Sequence, residues 1–332
     1  MTSTKIKDKG TAVESPRQCI TIPADALESA EERLKFRPVT VEAMKEIWPI
    51  LRQEPGRTCD FSWGGLLMWA PLFDYEYAIF GDTLFIKGKL EEDMHSLAFS
   101  LPVGAMPLHE AIEVLRAWCV RHGEPLRFSA IPKYATFAFN ELEPQAVREL
   151  PDWGDYLYNI EPLATLQGKK MAKKRNHVNK FESLYPDFQV DVLDNDNVSD
   201  ARAVLEHSAH DADNDPLMAA EERKLTDRIL TLFEEGKPGE MRGIVLYANQ
   251  QPVAFTVGDV KGDTLFIHIE KADRSYPGAY EAVNKYFAQY MLRQYPELKW
   301  VNREDDAGDP GLRKAKLSYH PADILSKYDI LF

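Results

Sequence analysis

Cysteine is scarce: Cys19, Cys59 and Cys119 are the three in a chain of 332 residues. Their wide spacing forms no CxxC pair, which argues against a disulfide scaffold and for reduced thiols. Long apolar runs are missing too. The greasiest stretch, residues 61–73, is too short to span a bilayer and is interrupted by Gly64, Gly65 and Pro71. The first residues carry lysines with no apolar segment behind them, so no signal peptide is expected. These absences predict a cytoplasmic protein without stable membrane insertion. The chain also lacks a Walker loop, a GxSxG elbow, a Rossmann fingerprint and an HExxH pair. Positive charge is in deficit, with 40 Lys and Arg against 53 Asp and Glu and a net charge of −13. That balance argues against a general nucleic-acid coat but leaves room for a local basic patch.

What is present describes a globular α/β chain, with 44% hydrophobic and 28% charged residues. Up to about Pro16 the sequence is polar and patternless. Apolar spacing at Met44, Ile47, Trp48 and Leu51 predicts a helix, and a second helical piece ends near Trp69. Strand-like runs follow at 75–80, 83–87 and 95–101, with Gly81–Asp82 as a hairpin turn. A helix is expected over 107–121, stopped by Gly123, then strands at 126–130 and 156–160. The second half repeats this order: a strand at 189–193, helices over 199–210 and 217–235, and strands at 243–248, 253–260 and 264–269. A helix over 279–294, a strand at 298–301 and a short helix after Asp309 complete it. The order predicts a duplication, with a tail over 1–20, an N-terminal repeat over 21–160 and a C-terminal repeat over 161–332 carrying the site. Gly-Asp-Thr-Leu-Phe-Ile occurs at both 81–86 and 262–267. It falls on different strands of the two meanders, so it reads as shared hairpin chemistry rather than as the register of the duplication.

Three stretches carry chemistry. Residues 169–181 hold Lys169, Lys170, Lys173, Lys174, Arg175, His177 and Lys180 without an acid between Leu163 and Phe181. On a helix Lys169, Lys173 and Lys180 line one face, a stripe that concentrates phosphates or other anions; a solvated helix is the plainer alternative. His268 and Glu270 stand two apart near the end of a strand, which points both side chains the same way. Residues 302–321 begin with Asn302, Arg303, Glu304 and Asp305. Asp309 then reads as an N-cap, Pro310 as the first helical residue, and Arg313 and Lys316 share one helix face while Leu312 and Ala315 turn inward.

The runs KKRNHVNKF, HIEKAD and NREDDAGDPGLRKAKLSYHP closely resemble the C-terminal domain family of lysyl-phosphatidylglycerol synthases, its soluble stand-alone bacterial members in particular. The resemblance implies a tandem GNAT-like (acyl-CoA N-acyltransferase-like) fold, with mixed central sheets flanked by helices, related to Fem-type aminoacyl transferases. It implies transfer of an aminoacyl group from aminoacyl-tRNA to an amine or hydroxyl of a small-molecule or peptide acceptor. In that layout Lys169, Lys173, Arg175, His177, Lys180, Arg274, Tyr280, Arg313, Lys316 and Tyr319 bind substrate or its phosphates. Lys173, Arg175, Arg313 and Lys316 neutralise donor phosphates or a developing oxyanion. His268 or Glu270 accepts the proton, and Asn302 and Arg303, with Glu304 beside them, orient the acceptor. An acyl-CoA-dependent N-acyltransferase and a non-catalytic ligand binder are the alternatives. In the loop before residue 279, Arg274 and Ala279 fit a coenzyme A pyrophosphate cradle, but Pro277 stands where glycine is needed and removes an amide donor. Acyl-CoA is therefore disfavoured, and no cofactor is firmly expected. His207, His210, Asp211, Asp213, Asp215 and Glu222 imitate a calcium loop. Pro216 occupies its glycine position, so no metal is expected. Phe61, Trp63, Trp69, Phe73 and Tyr75 are expected in the core.

Overall fold

A computed structural model of the chain describes residues 34–90, 93–208 and 216–332. The first half contains β1 (Arg37–Pro38), α1 (Met44–Leu51), α2 (Trp63–Trp69), β2 (Glu76–Phe80), β3 (Thr83–Lys89), β4 (Leu97–Phe99) and β5 (Val103–Gly104). It continues with α3 (Leu108–His122), β6 (Arg127–Pro132), α4 (Thr136–Asn140), β7 (Ala146–Glu149) and β8 (Asp155–Asn159). The second half contains α5 (Ile160–Thr165), α6 (Ala172–Leu184), β9 (Gln189–Val192), α7 (Val198–Ser208), α8 (Pro216–Glu234), β10 (Arg242–Ala248), β11 (Gln251–Lys261) and β12 (Thr264–Ala272). It ends with α9 (Ala279–Gln294), β13 (Trp300–Asn302), α10 (Pro310–Leu317), β14 (Asp323–Leu325) and β15 (Lys327–Leu331).

Local chemistry accounts for most of these boundaries. Met44, Ile47, Trp48 and Leu51 form the buried face of α1. Gly123 ends α3 in the left-handed region, φ 71°, where a side chain would strain the backbone. Asp309 caps α10 by accepting from the Leu312 N–H at 2.6 Å, with Pro310 behind it as N1.

Among the described residues the strands form two mixed sheets. One runs β1-β2-β3-β4-β6-β15-β7, with β5 on β3; the other runs β14-β8-β13-β12-β11-β10-β9. Read from opposite ends, they correspond position by position: β4 and β6 pair in parallel, as do β12 and β13. The hexapeptide repeat opens β3 and β12, which are not equivalent positions. The correspondence also exposes an exchange. β8 inserts between β13 and β14 of the second sheet, while β15, a strand not expected from the sequence, inserts between β6 and β7 of the first.

A buried ion pair ties the exchange together. Lys327, the first residue of β15, places Nζ 2.9 Å from Oδ1 of Asp155, the first residue of β8, and 2.9 Å from Asp60 Oδ2. Burial disfavours the Lys327 ammonium, but Asp155 and Asp60 outweigh it and hold its pKa well above the ordinary lysine value. The halves also share an apolar core, in which Ile47, Phe61, Trp63 and Leu67 pack with Val204, Leu230, Phe255 and Ile269. Phe73 is buried, and Trp69 and Tyr75 pack half-buried against that core, as expected.

Candidate functional site

The second sheet opens at its centre. β12 and β13 pair from Thr264 opposite Trp300 to Phe266 opposite Asn302, and no pairing continues beyond. On its other edge β12 carries an extra residue: Gly258 faces Ile267 and Val257 faces Ile269, so His268 is bulged. Ile267 therefore lies in the core against α9, and Ile269 in the core between the halves. His268 and Glu270 do not point the same way, contrary to the strict alternation of the sequence pattern. The bulge shifts the register by one and sends them to opposite faces of the sheet.

On the face toward the first half, His268 Nε2 lies 2.7 Å from Asp259 Oδ2 and Nδ1 lies 2.7 Å from Glu304 Oε1. Burial opposes the imidazolium, but Asp259 and Glu304 outweigh it and push the pKa up to about 10. A ring with a carboxylate on each nitrogen keeps both protons at neutral pH and offers no lone pair to an incoming group. The Gly64 N–H donates to the same Asp259 oxygen at 2.6 Å. A Cβ on Gly64 would stand 2.4 Å from His268 Cδ2 and 2.9 Å from Asp259 Oδ2. Gly64→Ala is thus expected to destabilise the protein by about 1–3 kcal/mol, as overpacking does; a urea midpoint equal to wild type would refute this close approach. Asn302 is fully buried. Its Nδ2 donates to Arg57 O and Asp155 Oδ2 at 2.6 and 2.7 Å, and its Oδ1 accepts from the Glu304 N–H at 2.6 Å. Asn302 thus shapes the turn that holds Glu304 at φ 57°.

On the other face a string of contacts lines the opening. Arg303 Nη2 donates to Glu270 Oε1 at 2.6 Å, and Asn284 Nδ2 of α9 donates to Glu270 Oε2 at 2.8 Å. Lys174 Nζ of α6 donates to Glu281 Oε1 at 3.3 Å and lies 3.9 Å from the centre of the Tyr319 ring. Arg303 Cζ lies 4.7 Å from the same ring, and His177 Nδ1 is 3.8 Å from Glu281. Burial lowers the Lys174 pKa, which Glu281 only partly restores; for Arg303 burial is outweighed by Glu270 and the pKa rises. The side chains of Lys174, Glu281, Arg303 and Glu270 retain 12, 15, 13 and 11% exposure, so the wedge is enclosed yet reachable.

Of the expected site residues, Glu270, Arg303 and Tyr319 are brought together here, while Lys174, Glu281 and Asn284 were not among them. The basic run did contain Lys174, but nothing local marked Asn284, or Asp259 on the other face. Lys173, His177 and Lys180 are exposed on α6, and Lys169 is exposed in the turn before it. Arg175 instead turns back, its Nη1 donating to Leu166 O at 2.6 Å and Gly168 O at 3.1 Å past the end of α5. α10 is rotated from its expected setting. Leu312 and Ala315 are exposed, and Lys316 is buried because its ammonium donates to the carbonyls of Arg303, at 2.6 Å, and Asp305. Arg313 forks onto Asp306 at 2.9 and 2.7 Å and reaches Asp152 at 2.7 Å. Arg274 is exposed before α9, and Tyr280 is half-buried.

The expected calcium-like loop falls largely outside the described residues, which omit His210, Asp211, Asp213 and Asp215. His207 bonds Ala203 O at 2.7 Å and Glu222 pairs with Lys271 at 2.7 Å. Among the described residues Cys59, Asp155 and Asp305 come close enough to share a metal ion. Lys327 Nζ already fills that place, 3.4 Å from Cys59 Sγ and 2.9 Å from Asp155. A cleft of about 480 Å³ lined by Arg57, Tyr134, Leu157, Trp300 and Leu325 opens on the first-half face of β13, away from the wedge.

Residues 52–331 match the family described as phosphatidylglycerol lysyltransferase, C-terminal. The chain belongs to this family. It is 31% identical to a crystallised conserved protein of unknown function from Bacteroides thetaiotaomicron VPI-5482, covering 90% of this chain and 99% of that one at a TM-score of 0.80. L-PGS from Bacillus licheniformis is similar in fold, with 15% identity over 86% of this chain and 91% of that one and a TM-score of 0.59. FemX aligns at 7% identity over 90% and 98%, TM-score 0.55, again a likeness of fold. An uncharacterised protein of Mycoplasmoides gallisepticum is 28% identical over 176 residues, which are 52% of this chain and 54%, about half, of that relative. The expected tandem GNAT-like fold, with two mixed sheets flanked by helices, is the fold observed. Family and fold indicate a transferase of the lysyl-phosphatidylglycerol synthase or GNAT type. Among the described residues no helix is long and apolar enough to cross a membrane.

Proposed function

We propose that this chain transfers an aminoacyl group from aminoacyl-tRNA to an amine or hydroxyl acceptor, with the reaction in the wedge between β12 and β13. The observation that carries this reading is the placement of α6. One helix presents Lys173 and Lys180 to solvent and Lys174 to the wedge, so a phosphate-bearing donor held outside would deliver its ester to Lys174 and Arg303. The acceptor attacks the ester carbonyl, the acyl–oxygen bond to the terminal ribose breaks, and the proton lost by the acceptor ends on the ribose oxygen. Arg303 and Lys174, fixed by Glu270 and Glu281, are cations poised against the charge that develops on the carbonyl oxygen. His268 serves by holding Glu304, and through it the turn that carries Arg303.

The acyl-CoA alternative is disfavoured by the start of α9. Besides Pro277, the backbone of α6 lies across this end: a Cβ on Gly278 would stand 2.3 Å from the His177 carbonyl oxygen. That packing competes with a pyrophosphate for the helix N-terminus. A Lys173→Ala, Lys180→Ala protein is expected to bind aminoacyl-tRNA more weakly and with a shallower salt dependence. The slope of log K against log salt should fall by roughly one to two. Unchanged affinity and slope would remove α6 as the donor's phosphate site. Thermal stabilisation by a coenzyme A ester, without stabilisation by aminoacyl-tRNA, would move the chain to the acyl-CoA class.

A further inference from the structure

Around Glu270 three buried polar atoms have no hydrogen-bond partner among the described residues: Thr256 Oγ1 sits across the sheet on β11, while the other two, Arg303 Nη1 and Asn284 Oδ1, belong to the residues that hold Glu270. Asn284 is 1% exposed. A lone atom of this kind destabilises a folded protein unless something pairs with it. Arg303 and Asn284 grip the same carboxylate, since Glu270 takes Arg303 Nη2 on one oxygen and Asn284 Nδ2 on the other. That grip also settles which way the Asn284 amide faces. An ionised carboxylate only accepts, so the NH2 group must meet Glu270 and the carbonyl oxygen is the atom left over.

We propose that these two atoms read the head of the aminoacyl group, Asn284 Oδ1 accepting from its α-ammonium and Arg303 Nη1 donating to its ester carbonyl. The inference rests on the aminoacyl-transfer reading and goes beyond it by assigning the contacts. One unpaired donor and one unpaired acceptor flanking a single carboxylate call for a ligand with the opposite pair. An aminoacyl ester has it, with an ammonium donor and a carbonyl acceptor on adjacent carbons. An acyl thioester offers the carbonyl without the ammonium and leaves Asn284 Oδ1 unpaired. The α-ammonium also lies beside Glu270, which favours its charged form. In this arrangement Arg303 acts through two nitrogens, one anchored on Glu270 and one on the carbonyl that becomes an oxyanion.

The test uses the whole chain and two stable donor mimics: an aminoacyl amide of 3′-amino-3′-deoxyadenosine and its counterpart lacking the α-amino group. Affinities are measured by calorimetry, with intact aminoacyl-tRNA binding as a parallel measurement. The wild-type protein is expected to hold the amino form about tenfold or more tighter, the effect of one hydrogen bond to a charged group. Asn284→Ala should bring the two affinities together, and Arg303→Lys should weaken both mimics alike. The wild-type comparison needs no variant, so it stands even if Asn284→Ala misfolds. Equal binding of both mimics by a protein that still holds aminoacyl-tRNA would overturn the assignment, meaning that water fills these positions, and leave the transfer reading intact. Discrimination that survives in Asn284→Ala would also overturn it. Failure to bind aminoacyl-tRNA at all would remove the transfer reading and this inference together.

Discussion

Replacing Lys327 with methionine is expected to lower folding stability by about 3–5 kcal/mol, the range for removing one partner of a buried charge pair. The Lys327 side chain is 3% exposed and that of Asp155 is fully buried. Asp155 does have other partners, since its Oδ2 accepts from the Cys59 N–H at 2.6 Å and from Asn302 Nδ2 at 2.7 Å. Those are neutral donors, however, and they leave the buried carboxylate of Asp155 and the half-buried one of Asp60 without the ammonium between them. The site also sits where both exchanged strands begin, so its loss is felt in both sheets. Urea denaturation is the measurement, and a decrease below about 1 kcal/mol would show that the pair does not hold the crossing. Adding Asp155→Asn to Lys327→Met should recover part of the loss, because the uncompensated charge is then removed.

The second large effect concerns pH. His268 has its pKa raised from the ordinary 6.5 to about 10 in the folded protein. A raised value means that the folded state holds the proton more tightly than the unfolded chain does. The stabilisation is therefore fully present below about pH 6.5 and is lost as pH rises through about 10. Between those limits the folded protein should lose several kcal/mol, because each pKa unit of difference corresponds to about 1.4 kcal/mol. His268→Ala should flatten this slope and also destabilise the protein at pH 7, leaving Asp259 and Glu304 beside each other with no cation between them. Chemical denaturation at pH 6, 8 and 9.5 separates the two proteins. Because burial lowers the pKa of Lys174, Lys261 and Lys316 and so works in the opposite direction, the difference between the two proteins is the readout, and a wild-type slope no steeper than that of His268→Ala would contradict the doubly held imidazolium. The same geometry predicts no ionisation of His268 near neutrality in the pH profile of transfer. A general base with an ordinary imidazole pKa would produce one.

Features governed by neighbouring residues were open to inspection in the chain itself. The apolar spacing of α1, the Gly81–Asp82 hairpin, the Gly123 stop and the Asp309–Pro310 start of α10 each depend on a handful of adjacent residues, and all are where local rules put them. Glu270, Arg303 and Tyr319 were singled out separately, through the resemblance of the runs that contain them, but their contact was not legible. Nor was the face of Glu270. A bulge at His268 depends on how β11 pairs with β12, and alternation within one strand carries no trace of it. Lys316 shows the same limit. Its sequence neighbours suggest a solvent-facing cation, yet the carbonyls it caps belong to the turn after β13, and Leu312 is pushed outward in exchange.

By itself the sequence determined the α/β character, the repeated order of elements, the family, and the basic helix leading to the second repeat. The family came through the resemblance of three runs; the others follow from periodicity, caps and local charge, which act over a few residues. Only the tertiary structure decided that β8 and β15 change places between the sheets, that Lys327 sits against both Asp60 and Asp155, and that His268 is clamped on both nitrogens. It also decided that Lys174 and Asn284 join Arg303 and Glu270 in the wedge. Each of these contacts joins residues far apart in the chain. Their partners are selected by what is left unpaired when the sheets and helices close, a quantity that exists only once the chain has folded.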